Sequence, residues 1–213
     1  MRLSHRRLLS TVLLCGLWPL FAVEAASAQQ TRAVPHATLE AILAAPLGTP
    51  PAGGGRADVT IVEYFDYNCP VCRELDPQLR KLLAADTKVR LVHKDWAIFG
   101  DGSVYAAYAS FAAEREGRYR AAHEALMSSS ESLDGRAAVL AVLKAAGFDP
   151  VKIGADVAHH EKEYADVLAR NAREATALGL QGTPGVIVGD QLVLGGVTYR
   201  GLRRLVARMR ARS

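Results

Sequence analysis

Sulfur is scarce in this chain: among its 213 residues are three cysteines and three methionines. Cys15 lies inside an amino-terminal apolar run, which leaves Cys69 and Cys72 as the sulfur pair of the remainder. Two cysteines in a chain of this size are not a disulfide-dense scaffold, and a hydrophobic content of 50% can build a core without one. A zinc cage needs about four ligands, and no second Cys-x-x-C and no His-x-x-x-His accompanies the pair. His159 and His160 are adjacent, so on a helix they point in different directions. Methionine clusters of the kind that handle copper are missing too, which argues against a copper-binding protein built on the same two sulfurs.

Long apolar runs are equally rare. The run from Leu8 to Val23 is broken by Pro19 and falls short of the ~20 residues of a bilayer span. Arg2, Arg6 and Arg7 precede it and Ala26-Ser27-Ala28 follows, a pattern that predicts a cleaved signal peptide over residues 1–28 and hence an exported protein. Leu14 is not the small residue that a lipoprotein cysteine wants before it, and Arg6-Arg7-Leu8-Leu9 matches a twin-arginine signal only in part. No stable membrane insertion is expected after cleavage. Removal of three arginines and Glu24 takes the formal charge from +4 to +2. The arginines at 200, 203, 204, 208, 210 and 212 surround an apolar stripe of Leu202, Leu205, Val206 and Met209, so they read as the wet face of a terminal helix. Nucleic acid is not an expected partner.

Residues 29–57 read as an amino-terminal extension, with a possible short helix from His36 to Ala45 and a Pro/Gly linker from Pro46 to Gly55. From Asp58 to Phe65 both faces are apolar, as in a strand covered on both sides. Pro70 suits a first helical position, and Leu75, Leu79, Leu82 and Leu83 recur at helical spacing in a helix that Pro77 should kink. A second strand is expected from Val89 to Lys94. Residues 103–178 are helical in pattern, with breaks near Gly117, around Ser128 to Ser132 and at Gly147 to Pro150. Gly185 to Val188 and Gln191 to Leu194 then form a hairpin before the last helix. No internal repeat is visible.

The chemistry concentrates at Cys69-Pro70-Val71-Cys72, where strand gives way to helix. A thiolate is the nucleophile of disulfide exchange, and a helix amino terminus favours it with unpaired N–H groups and partial positive charge. Cys69 has that place. Cys72, one turn further in, is the resolving thiol and the more buried. A structural disulfide across so short a loop would constrain the unfolded chain little. Glu63 is the ionisable group in an otherwise apolar strand; burial raises a carboxyl pKa toward the range where it exchanges a proton with a buried thiol, or the residue is a satisfied core carboxylate. Lys94 is a candidate partner for Glu63. Gly182-Thr183-Pro184-Gly185 reads as a turn or as a site for a cis proline.

The order of these elements, with Glu63-Tyr64-Phe65-Asp66-Tyr67-Asn68 before the dithiol, Gly117-Arg118-Tyr119 and His123-Glu124-Ala125-Leu126-Met127 in the helical block, and Gly179-Leu180-Gln181 before the proline loop, resembles the DsbA-like branch of the thioredoxin superfamily. The resemblance implies an α/β thioredoxin fold with an inserted helical domain, the domain covering 58–213 and the insertion about 103–178. It implies a periplasmic thiol-disulfide oxidoreductase that introduces disulfides into exported proteins and is reoxidised by a membrane redox partner, with no cofactor beyond its dithiol. Cys69, Cys72 and Glu63 would be catalytic. Pro184 would be cis beside the dithiol, and Thr183 would offer main-chain groups to an extended substrate. Val71 stands where the strongest oxidases carry histidine, Thr183 is similar to the isomerases, and Ala97 follows Trp96 where many relatives carry proline. An isomerase or reductase kept reduced by a membrane partner is therefore the alternative.

Overall fold

The computed structural model describes residues 31–44 and 57–212, so the expected signal peptide and the Pro46 to Gly55 linker lie outside the described residues. The elements run β1 (Thr31–Ala33), α1 (His36–Leu43), β2 (Val59–Phe65), α2 (Pro70–Ala85), β3 (Val89–Asp95), α3 (Asp101–Arg115), α4 (Tyr119–Met127), α5 (Arg136–Ala145), α6 (Pro150–Ala177), β4 (Gly185–Val188), β5 (Gln191–Leu194) and α7 (Tyr199–Arg210). The strands form a mixed sheet in the order β1-β5-β4-β2-β3, parallel between β2 and β3 and antiparallel elsewhere. This is the α/β arrangement that the resemblance implies, with α3 to α6 inserted between β3 and β4.

Period-2 alternation in β2 distributes its side chains between two cores. Val59 and Ile61 pack with Leu75, Leu79 and Leu82 of α2 and with Leu202, Leu205 and Val206 of α7. Val62 and Tyr64 face the opposite side, against Ile42 of α1 and Ala175 and Leu178 at the end of α6. Neither face of β2 meets water, which accounts for the unbroken apolar run. A third core lies in the insertion, where Ala106, Ala109 and Ala113 let α3 approach its neighbours closely and Leu126, Leu133, Leu143 and Ile153 fill the space between.

Local signals fix the helix starts. Asp149 caps α6 by accepting from the N–H groups of Val151 and Lys152, with Pro150 in the first turn. Thr198 caps α7 through the Gly201 N–H. Gly102 is required by proximity: a Cβ there would stand 1.6 Å from the Leu133 carbonyl oxygen, so only glycine brings the start of α3 against the loop before α5.

The structure adds one strand and changes one pairing. The segment before His36, expected only as part of the amino-terminal extension, contributes β1, whose Thr31, Arg32 and Ala33 pair with Val193, Leu192 and Gln191 of β5. Three exposed residues carry no periodicity, so nothing in the sequence marks them. Lys94 does not pair with Glu63. In the β2–β3 register Glu63 lies abreast of His93, and Lys94 is abreast of Tyr64 on the other face. There the Lys94 ammonium is buried, donating to the Ile42 carbonyl at 2.9 Å and pairing with Glu174 at 3.1 Å. Burial pulls its pKa down and Glu174 opposes the shift.

Lys94 thus fastens α1 and α6 to one face of the sheet. Lys94→Ala would take the ammonium away from the Ile42 carbonyl and from Glu174, which keeps the Tyr64 hydroxyl at 3.0 Å and Arg170 at 3.8 Å, and a loss of about 2 kcal/mol is expected in urea unfolding of the protein. Lys94→Met, which fills the same space, should still destabilise because Glu174 loses its closest cation, and Lys94→Met combined with Glu174→Leu should recover part of the loss.

Candidate functional site

The end of β2 and the start of α2 are held by one carboxylate. Asp66 Oδ2 accepts the N–H groups of Ile98 and Phe99 at 2.6 and 3.0 Å, and Oδ1 accepts the Asn68 N–H at 2.7 Å and the Ser103 hydroxyl at 2.6 Å. Asn68 in turn donates to Ser103 Oγ and the Leu133 carbonyl and accepts the Leu133 N–H at 3.0 Å. The two residues preceding the dithiol, with Tyr67 between them, therefore join it to α3 and to the insertion.

Cys69 is the N-cap of α2 and Pro70 its first residue, as the sequence predicts. The Cys72 N–H reaches Cys69 Sγ at 3.4 Å. On the other side the Thr183 carbonyl lies 3.4 Å from Cys69 Sγ, and the Thr183–Pro184 peptide is cis. Both sulfurs are free thiols; Cys69 retains 2% of its surface and Cys72 none. The structure thus brings together four of the residues singled out in the sequence: Cys69, Cys72, Thr183 and Pro184.

The two sulfurs are driven apart electrostatically. A hydrogen bond from the Cys72 thiol, helped by the Thr183 side chain and by the N–H groups of Cys72 and Val71, outweighs burial and brings the Cys69 pKa down to about 6. Burial pushes Cys72 strongly upward, and its hydrogen bond to Cys69 and the nearby Glu63 carboxyl push the same way. Near neutral pH Cys69 is a thiolate and Cys72 a thiol. The arrangement can attack a disulfide at Cys69 and resolve the mixed disulfide from Cys72.

Glu63 is fully buried behind the dithiol, and neither of its oxygens has a hydrogen-bond partner among the described residues. Burial, then the nearby Asp76, Cys69 and Asp95, raise its pKa well above the carboxylate range, so it stays protonated. Its nearest basic group is His93, with Nε2 at 3.6 Å from Oε2. Sequence reasoning missed His93, Asp76 and His123 as neighbours of Glu63. Asp76 carried a legible signal: it is one helical turn beyond Cys72 and thus on the same face of α2.

Residues 60–207 match the DSBA-like thioredoxin domain family, and the chain belongs to that family. Its members are thiol-disulfide oxidoreductases that act on thiol-containing substrates, and this chain is an enzyme of that class. Among solved structures it is similar to a thioredoxin-like oxidoreductase from Silicibacter pomeroyi DSS-3, at 39% identity and a TM-score of 0.72 over 76% of this chain and 92% of that one. A periplasmic thioredoxin-like protein from Salmonella enterica serovar Typhimurium matches at 28% identity and a TM-score of 0.73, over 84% of this chain and 99% of that one. The catalytic domain of Proteus mirabilis ScsC matches at 27% identity and a TM-score of 0.73, over 82% and 96%. A segment of 84 residues is also 36% identical to part of the Na(+)/H(+) antiporter NhaA 3 of Salinispora tropica; it covers 38% of this chain and 13% of that protein. Among the described residues no helix is long and apolar enough to cross a membrane.

Because the Cys72 thiol is the largest contributor to the Cys69 shift, Cys72→Ala should move the Cys69 titration upward from about 6. Thiolate absorbance followed against pH checks this; a midpoint that stays put would assign the shift to the helix terminus and Thr183 instead.

Proposed function

We propose that this protein is a periplasmic oxidase that introduces disulfides into exported proteins. The observation that carries the reading is the Cys69 sulfur, held as a thiolate at the start of α2 by the Cys72 and Val71 N–H groups and the Cys72 thiol. Stabilising one sulfur of the reduced pair favours reduction of the Cys69–Cys72 disulfide, and an easily reduced disulfide is an oxidant toward other thiols. The lowered Cys69 pKa stabilises the reduced form in full above the ordinary thiol pKa and loses that effect as pH falls through about 6.

The exchange balances as follows. A substrate thiolate attacks Cys69 Sγ of the oxidised enzyme, the Cys69–Cys72 bond breaks, and its electron pair leaves on Cys72. Glu63, protonated in its dry site, gives the Cys72 sulfur a proton. A second substrate thiolate then attacks the substrate sulfur of the mixed disulfide and releases Cys69 as a thiolate. The substrate loses two electrons and the dithiol gains them; a membrane redox partner removes them again. Thr183 presents main-chain groups beside Cys69, and the exposed Val71, Ile98, Phe99 and Leu194 supply apolar surface for an extended, unfolded segment.

Isomerases in this superfamily usually oligomerise through an amino-terminal extension. Here Ile42 of α1 is buried on the chain's own sheet, with Leu39 and Leu43 packed beside it, so that apolar face is already used. This supports the oxidase reading.

The equilibrium potential of Cys69–Cys72 against glutathione tests it. A value toward the DsbA end of about −120 mV agrees with an oxidase, and one near the thioredoxin end of about −270 mV makes the protein a reductase. Cys72→Ala should accumulate mixed disulfides through Cys69 and Cys69→Ala none; equal trapping by both would reverse the assignment of attacker and resolver. Glu63→Gln should slow reduction of the oxidised enzyme by about tenfold or more without unfolding it. An unchanged rate and pH profile would reduce Glu63 to a packing residue.

A further inference from the structure

Glu63 is the first member of a buried polar cluster. His93 Nε2 stands 3.6 Å from its carboxyl, and neither His93 nitrogen has a hydrogen-bond partner among the described residues. The His93 ring stacks on His123 of α4, with centroids 4.2 Å apart. His123 Nε2 lies 3.4 Å from Asp76 Oδ1 of α2, and Asp76 Oδ2 accepts from Arg80 Nε at 2.8 Å. Asp76 is 4% exposed and Arg80 43%, so the sequence of contacts runs from the interior to the surface of α2. Phe65 meets both imidazoles edge-on, with centroid distances of 5.4 and 5.2 Å.

Apolar side chains at 93 and 123 would fill this space without leaving buried nitrogens unpaired. Two stacked imidazoles between a dry acid and a surface ion pair have a use that packing does not supply. We propose that His93 and His123 form a proton path between Glu63 and the Asp76–Arg80 pair, through which the core takes up a proton from solvent each time the dithiol is reduced. This rests on the reading of Glu63 as the donor to Cys72.

No hydrogen bond joins the stacked rings, so transfer between them needs a ring rotation that brings a nitrogen of His93 to one of His123. Imidazole suits this role because one nitrogen accepts while the other gives. Burial holds His93 unprotonated, with nearby His123 acting in the same direction, and the contacts of Asp76 with His123 and Arg80 outweigh burial to keep Asp76 ionised at the outer end. The other groups around the path come from each element packed on it. Tyr67 and Tyr119 hold His123 Nδ1 at 3.2 Å each. Asp95, beside His93 on β3, is kept neutral by burial, with Asp66 and Glu114 pushing the same way. His93 and His123 touch no reacting sulfur; they are positioning residues that act through Glu63.

The proton balance gives the test. When a dithiol such as dithiothreitol reduces the enzyme near neutral pH, it releases both thiol protons, Cys72 retains one from Glu63, and Cys69 stays a thiolate. If Glu63 is refilled at once, a pH indicator in a stopped-flow instrument sees a single release of one proton per enzyme. In His93→Phe and His123→Phe, which keep ring volume and remove the nitrogens, two protons should be released with the reduction and one recaptured in a separate phase, slower by about tenfold. His93→Gln and His123→Gln keep polar atoms but cannot pass a proton, and the same overshoot is expected from them; they also serve if a Phe variant does not fold. A merely structural role would not separate proton uptake from reduction.

Single-phase release at the wild-type rate in all four variants, with Glu63→Gln still slowed, would overturn the path and leave Glu63 as the donor. Wild-type behaviour of the Gln variants alone would also overturn it, because hydrogen bonding without proton transfer would then suffice. Reduction of Glu63→Gln at the wild-type rate would remove the donor itself, and the path with it.

Discussion

The structure turns on the Asp66 carboxylate. Its two oxygens gather the N–H groups of Asn68, Ile98 and Phe99 and the Ser103 hydroxyl, which belong to the start of the dithiol segment, the loop after β3 and the first turn of α3. A carboxylate that accepts several donors in a nearly dry site fixes their mutual positions, because each lost bond would leave a buried group unpaired. The sulfurs can thus be placed against Thr183, a residue far away in sequence and supplied by the loop before β4. Without that clamp the helix start would be free to move relative to the insertion, and the single hydrogen bond between Cys72 N–H and Cys69 Sγ could not be relied upon to set the chemistry.

The division of labour between the sulfurs follows from depth and from the helix end. Cys69 receives donors and Cys72 gives one, so a single thiol proton shared between them stabilises negative charge on the outer sulfur and denies it to the inner one. The inner sulfur then depends on an acid that is itself starved of water. Glu63 is kept protonated by the same burial that makes Cys72 a poor thiolate, and the two effects reinforce each other because negative charge on either would oppose negative charge on the other.

Much of this was legible in the sequence. Strands and helices with strong periodicity, β2, α2 and β3 above all, fall within about a residue or two of their expected ends, as helix and strand boundaries generally allow. The dithiol and the proline loop were recognisable because their chemistry is local or adjacent in the chain. The Glu63 surroundings were not, because strand register decides them. The parallel pairing of β2 with β3 sets His93 abreast of Glu63 and sends Lys94 to the opposite face, and one residue of slip would have exchanged the two. His123 comes from α4, whose approach depends on the alanines of α3, and no spacing within α4 reveals it. β1 was invisible for a different reason: a three-residue edge strand owes its conformation to its partner.

That edge strand has a consequence for how the chain folds. β1 is the amino-terminal element of the described chain, yet it pairs only with β5, near the other end, and Arg32 of β1 donates to the Leu178 carbonyl at the end of α6. A polypeptide emerging amino terminus first must hold Thr31 to Ala33 unpaired until almost all the rest has appeared. Closure of so long a loop is entropically slow, and most of the sheet can form before it. Thr31 to Ala33 are thus among the last residues to find their partners, and β1 then covers the β5 edge, which would otherwise remain open to pairing with another chain.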